Sequence, residues 1–202
     1  MFYKYLSFLF VVIMSLAVTV CASYQAGGID VRAVDQYSLR TIVDGISLAA
    51  DLYDSTEKTK QGFYVDVNSE GFYPVNLIFK NNTDDRVLVF RETMELIDSS
   101  GNIYRPVSST AMFNTFEHNK IAYALLGFGI FSYMSAEEAN RKMETDWHQK
   151  EIPDQLLILP SRKANGFVYF QLPKEKTIKG GKLRLEAEKL ETKTKSQLEL
   201  TL

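Results

Sequence analysis

The stretch GFYPVNLIFKNNTDDRVLVFRETMELIDSSGNIYRPVS, residues 71–108, decides the fold. VNLIFK (75–80) and RVLVFRE (86–92) are rich in Val, Ile, Leu and Phe, the residues that suit a pleated, half-buried surface. Between them stand Asn81, Asn82, Thr83, Asp84 and Asp85, whose short polar side chains hydrogen-bond their own backbone and favour turns. Strand, polar turn, strand reads as a β-hairpin. The pattern then repeats, with MELID (94–98), the turn Ser99-Ser100-Gly101-Asn102, and IYRPV as a second hairpin. Pro74 and Pro106 are expected at strand borders, where a missing N–H does least harm.

Working outward, QLLILP (155–160), GFVYFQLP (166–173), KLRLEAEKLE (182–191) and QLELTL (197–202) continue the β pattern. Leu183, Leu185 and Ala187 alternate with Arg184, Glu186 and Glu188, the period-two mark of a strand with one wet face. Upstream, ISLAADLYD (46–54) fits a first strand or a short helix, and the polar STEKTKQG ends it. About seven short strands with polar turns imply a mainly β chain, an immunoglobulin-like antiparallel β-sandwich occupying residues 37–202. An insertion, roughly 111–150, interrupts it. Within it, Ser135-Ala136-Glu137-Glu138 has the capping-box arrangement, so a helix is expected over about 135–149. Ala136, Ala139, Met143 and Trp147 then share one stripe, with Trp147 as the anchor and with Asp146 and His148 facing solvent.

The N-terminus speaks to location. MFYKYLSFLFVVIMSLAVTV has one early cation, Lys4, and then no charge as far as Val20, the plan of a secretory signal over residues 1–20. The competing reading is a retained anchor, which wants about 20 apolar residues and flanking charge. Cys21 is the only cysteine of the 202 residues, so no internal disulfide can form. Val18-Thr19-Val20-Cys21 resembles a lipobox, with Val20 where a small residue is usual, and this makes Cys21 the expected lipidation site. Lipidation attaches a chain to a membrane without a spanning helix. The alternative is cleavage after Ala22 or Ser23 and a soluble periplasmic chain. ASYQAGGIDVRAVDQ after Cys21 reads as a tether (21–36), and Ala22 resembles the outer-membrane-sorted class.

Chemistry-bearing groupings are sparse. Net charge is −2 with Lys and Arg scattered, which argues against nucleic acid as a partner. His118 and His148 share no metal-ligand spacing, so neither a metal nor any other cofactor is expected. No nucleophile elbow is present, Gly127 and Gly129 form only an isolated GxG, and the paired carboxylates fall in a turn (Asp84-Asp85) and at a helix start (Glu137-Glu138). No catalytic residue is therefore assigned, and an enzyme is not expected. Asn81-Asn82-Thr83 is formally a glycosylation sequon but reads as turn chemistry. The uncharged IAYALLGFGIFSYM (121–134) is too short to span a bilayer. It has three readings: a buried segment, a surface for a protein partner presented by Leu125, Leu126, Phe128, Ile130 and Phe131, or a dip into the membrane.

Taken with SAEEANRKMETDWHQKEIP (135–153) and LILPSRKANGFVYFQLP (157–173), the opening stretch resembles a group of uncharacterised bacterial lipoproteins with an immunoglobulin-like β-sandwich. The carrying features are the Pro-led strand into an Asn-containing turn, the D-x-x-G hairpin, and the strand Gly166 to Phe170. The resemblance implies a cell-envelope protein and carries over no catalytic residue. The expectation is a lipid-anchored binding or scaffolding module of the outer membrane, facing the periplasm. Alternatives are an accessory subunit of a secretion or surface-assembly system, and a hydrolase with an unrecognised site.

Overall fold

The computed structural model describes residues 28–118 and 133–202. Strands β1 (Leu39–Val43) and β2 (Ile46–Leu52) form an antiparallel hairpin closed by Asp44 and Gly45, at φ 50° and 82°. Two consecutive left-handed residues give a turn whose twist matches that of the strands. ISLAADLYD is thus a strand. Its Ala49 and Ala50 have no preference for one, but β2 is covered on both faces, and packing overrides propensity. The polar stretch after it is a helix, α1 (Thr56–Phe63), with Ser55 Oγ accepting from the Lys58 N–H.

β3 (Phe72–Asn81) is paired on one side with β2 and on the other with β9 (Lys163–Gln171). β4 (Val87–Phe90) belongs to another sheet, where it pairs with β10 (Lys182–Lys189) and β8 (Gln155–Ile158). The expected first hairpin is therefore not one: residues 81–85 carry the chain from sheet to sheet. Asn81 is the cause. Its buried Nδ2 donates to the carbonyls of Asp85 (2.7 Å) and Ile158 (3.2 Å), and its Oδ1 accepts from Thr83 N–H and Oγ1–H. These bonds curl the chain away from β3, both of whose edges are already taken. They also bury the sequon asparagine, in line with the turn reading.

The second hairpin stands: β5 (Glu95–Ile97) pairs with β6 (Ile103–Tyr104). Its continuation does not, because at Arg105 the chain changes sheets and β7 (Pro106–Val107) pairs with β9. β4 and β5 lie end to end along one edge of β10, broken by a short 3-10 turn at Arg91–Thr93. β11 (Lys195–Thr201) takes the other edge of β10. These breaks raise the strand count to eleven among the described residues. Pro106 opens its strand as expected, whereas Pro74 is the third residue of β3. Its carbonyl accepts from Tyr53 N–H, so its imide nitrogen faces the same way, just past the last β2 pairing at Leu52↔Val75.

The protein is mainly β, with two antiparallel sheets. Sheet A runs β1-β2-β3-β9-β7, and sheet B is built of β4, β5, β6, β8, β10 and β11. They share a core of Leu48, Val75, Leu77, Phe79, Val89, Leu96, Val168, Leu183, Leu185 and Leu198, among others. A second core lies on the far face of sheet A, against α2 (Ser109–His118) and α3 (Tyr133–Lys150), where Phe63, Phe72, Phe113, Phe116, Phe167 and Tyr169 surround Trp147. Trp147 is fully buried and meets Phe63, Phe113 and Phe116 edge-on at 5.8–6.1 Å between ring centres.

Met143 and Trp147 share the buried stripe of α3 as expected, but the helix begins at Tyr133, so Ser135 lies inside it and does not cap it. Adding residues to an existing helix costs little once it has nucleated. Asp146 is not solvent-facing either. It pairs with Lys150, whose ammonium also donates to the Gly62 carbonyl (2.7 Å) and thereby ties α3 to α1. At the exit of α3, Ile152 N–H donates to the Phe167 carbonyl, and its backbone passes so near Gly166 that a Cβ there would lie 3.2 Å from Ile152 Cα. Residues 34–36, read as the end of the tether, form a 3-10 turn, and Val34 packs with Tyr37, Ala49 and Ile78.

Candidate functional site

Cys21 and the apolar residues Leu125, Leu126, Phe128, Ile130 and Phe131 lie outside the described residues. Among the described residues, polar side chains converge most clearly on the outer face of sheet B. There the strand registers set Arg184 directly across from Glu95 on one side and Glu199 on the other, and Glu186 across from Gln197. The 3-10 turn at Arg91–Thr93 bends the β4–β5 line, and Thr93 Oγ accepts from Glu186 N–H. The result is a groove of 440 Å³ lined by Glu92, Thr93, Glu95, Arg105, Arg184, Glu186 and Gln197.

The groove is electrostatically mixed. Arg105 holds Glu95 at 2.8 Å, and Arg184 reaches Glu95 at 3.6 Å and Glu199 at 3.4 Å. Glu199 is held below the ordinary carboxylate range, first by a hydrogen bond from Lys182 and then by Arg184. Nε of Arg184 is buried without an acceptor. Fixed charges of both signs on a rigid sheet can orient a polar ligand; nothing in this set forms a nucleophile–base pair. The alternation 183–188 announced a wet face. It could not bring in Glu92 and Arg105, which only the sheet order places beside Arg184.

His148 lies beside an acid, as a catalytic histidine would, but the geometry is a staple. The Glu151 side chain, 7% exposed, bonds Arg91 through one oxygen and accepts from Ser109 Oγ (2.6 Å) and Ser109 N–H (3.2 Å) through the other. His148 Nδ1 stands 3.7 Å from that second oxygen, on a side chain 76% exposed. The carboxylate contacts the hydroxyl directly, no imidazole stands between them, and Ser109 is buried. Glu151 thus joins sheet B, the start of α2 and the end of α3. Among the described residues, no three His, Cys, Asp or Glu side chains are placed to share a metal ion.

Two further polar positions are set by burial. The Tyr53 phenol is pushed up to about 12, mainly by burial and then by Asp51, Tyr37 and Asp30. Asn76, in the middle of β3, is fully buried with neither amide atom partnered. At the 98–102 turn, the Asp98 carboxyl accepts from Asn102 Nδ2–H and from the Ser100 and Asn102 N–H groups. These bonds, led by that of the Asn102 side chain, hold it well below the usual carboxylate range.

No family model matches the chain, and no curated protein matches it. Among solved structures, the yjhA protein of Bacillus subtilis is similar at 11% identity over 74% of this chain and 78% of that one, with a TM-score of 0.37.

Proposed function

We propose that this chain is an exported, lipid-anchored protein of the bacterial cell envelope, held at the outer membrane through Cys21, whose body is a binding or scaffolding module. The observation that carries the binding part is the asymmetry of the two sheets. The outer face of sheet A is covered over β3 and β9 by helices and aromatic rings, whereas that of sheet B carries no second layer among the described residues and holds the charged groove. The body is read as an immunoglobulin-like sandwich in which the helical layer backs one sheet and the other is left to present a surface.

The anchoring part is supported by the cysteine inventory: Cys21 is the single cysteine, so no internal disulfide claims its thiol. Among the described residues no helix is long and apolar enough to cross a membrane, and a lipid would supply the attachment that such a helix otherwise provides. Two acyl chains on one residue give stable anchoring, where one gives only reversible binding.

Mass spectrometry of the mature N-terminus tests the proposal. A diacylglyceryl modification on Cys21 is the expected result. A mature chain starting at Ser23 or Tyr24 would instead make the protein freely soluble in the periplasm, and a cytosolic chain that retains Met1 would overturn export altogether.

A further inference from the structure

The helical layer covers sheet A at one end of its strands, where β3 and β9 carry Phe72, Phe167 and Tyr169. The strand registers say what stands at the other end. Ile42, Ser47, Lys80 and Lys163 lie directly across from one another on β1, β2, β3 and β9, and therefore on one face, and Arg40, Ala49, Ile78 and Asn165 form the next row. Val34 and Tyr37, from the segment that precedes β1, pack on Ala49 and Ile78, which makes this the outer face. On it Ile42 is 68% exposed, and Arg40 and Lys163 are exposed as well. Arg32 joins them, its guanidinium 4.6 Å from the centre of the Tyr37 ring.

These cations differ from those of sheet B, where Lys182, Arg184 and Lys195 each meet a carboxylate. Among the described residues no carboxylate pairs with Arg32, Arg40, Lys80 or Lys163. Asp30 and Asp35 are exposed and bound to none of them, and Asp44 accepts from Ser196 Oγ–H at 2.7 Å instead. Arg40 donates to the carbonyls of Asp35 and Tyr37, both at 2.7 Å, which fix its head group without neutralising it. Lys80 and Lys163 stand directly opposite each other, and like charges so placed cost stability until an anion comes between them.

The length of chain beyond this face says which anion. Val34 is docked and Ile29 packs against the aromatic core, so the leash to a lipid on Cys21 starts at Gly28 and not at residue 36. Its seven residues reach at most about 25 Å. We infer that the open end of the outer face of sheet A seats on the anionic headgroups of the membrane that holds the lipid, with Arg32, Arg40, Lys80 and Lys163 against phosphates and Ile42 at the interface. The inference rests on the lipid-anchor reading and deepens it, because this seating turns the groove of sheet B away from the bilayer. Each basic side chain at an anionic surface strengthens the contact about fivefold, and the short leash keeps the effective concentration high.

The test uses the full mature chain on vesicles of phosphatidylethanolamine and phosphatidylglycerol that carry headgroup spin labels. Ile42→Cys supplies a single reactive thiol for a fluorophore, since Cys21 is acylated or, in a chain cut after Ala22 or Ser23, absent. Quenching is expected at position 42 and not at Gln197→Cys on the outer face of sheet B, and it should weaken as salt is added. Lys80→Gln and Lys163→Gln should each reduce the headgroup contact about fivefold, with a melting temperature that does not fall because two opposed charges are relieved. Equal quenching at 42 and 197 overturns the inference. So does a contact indifferent to both lysine variants, one as strong on phosphatidylcholine alone, or one displaced by inorganic phosphate, which would assign the cations to a free anion. The N-terminal mass is read separately: lipid without contact refutes only the orientation, and contact without lipid refutes only the anchor.

Discussion

The two sheets are made of similar strands and live in different surroundings. In sheet A the central strand β3 is buried at nine of its ten positions, from Phe72 to Asn81, because the shared core lies on one side and the helices on the other. In sheet B, β10 and β11 alternate buried and wet residues, and the wet ones form a lattice of ion pairs. A strand covered on both faces reads as a continuous apolar run, and one covered on a single face reads as alternation. The lesson concerns where packing holds the fold and where polar surface is left over. Sheet A holds the molecule together, and sheet B is free to carry charges that packing does not need.

The strongest way to break this comparison is at Trp147. Trp147→Ala removes the ring about which the second core is built and should cost about 3–5 kcal/mol, read as a drop in urea midpoint. A loss under about 1 kcal/mol would mean that the helical layer does not stabilise sheet A. Next comes Asn76, a buried amide with Phe167 directly across on β9 and Asp51 directly across on β2. Asn76→Leu keeps the branched outline of four side-chain heavy atoms and removes two unpartnered polar atoms, so stability should rise by about 1–2 kcal/mol. A fall would reveal a partner for the amide.

Asp98 belongs to the sheet B hairpin and acts through charge. Its folded-state carboxyl titrates below the ordinary value near 3.8, so its stabilisation is complete above that value and is lost as the pH falls through the folded-state range. Asp98→Asn should flatten the acid limb of stability between about pH 5 and pH 2, measured by denaturant midpoints at each pH. An unchanged limb would remove Asp98 from the account of that turn. The smallest effect is expected on the wet face itself. Glu199→Gln loosens two exposed ion pairs and should shift stability by no more than about 0.5 kcal/mol; a larger loss would show that the lattice is structural.

How much of this was legible depended on whether the deciding contact was local. β10 and β11 were readable because Leu183, Leu185 and Ala187 alternate with charges. The β5–β6 hairpin was readable because Asp98 and Gly101 make their own turn within five residues. The β1–β2 hairpin was readable too: Asp44-Gly45 between apolar runs is a strong hairpin signal. So was α1, which Ser55 caps. The expectation for this region stops short of both, because its apolar spacing is mixed. The 81–85 cluster predicts a hairpin, because a polar cluster marks a reversal without saying which sheet the next strand joins. That was settled by the Asn81 side chain reaching Ile158, 77 residues away.

The candidate groove divides in the same manner. Arg184, Glu186, Glu199 and Gln197 follow from the period-two pattern of their strands. Glu92, Glu95 and Arg105 join them only through the break at Arg91–Thr93 and the sheet change at Arg105. Glu151 was no more visible as a staple, since neither Arg91 nor Ser109 is near it in sequence.

By itself the sequence determined a mainly β chain, which segments are apolar on one face, and a single cysteine with no second one to pair with. The tertiary structure alone decided which strands are neighbours, that the helices cover the outer face of sheet A over β3 and β9, and that charges from three strands meet on the outer face of sheet B. The physical reason is range: side-chain period and turn chemistry act over a few residues, whereas sheet membership is fixed by packing between segments tens of residues apart.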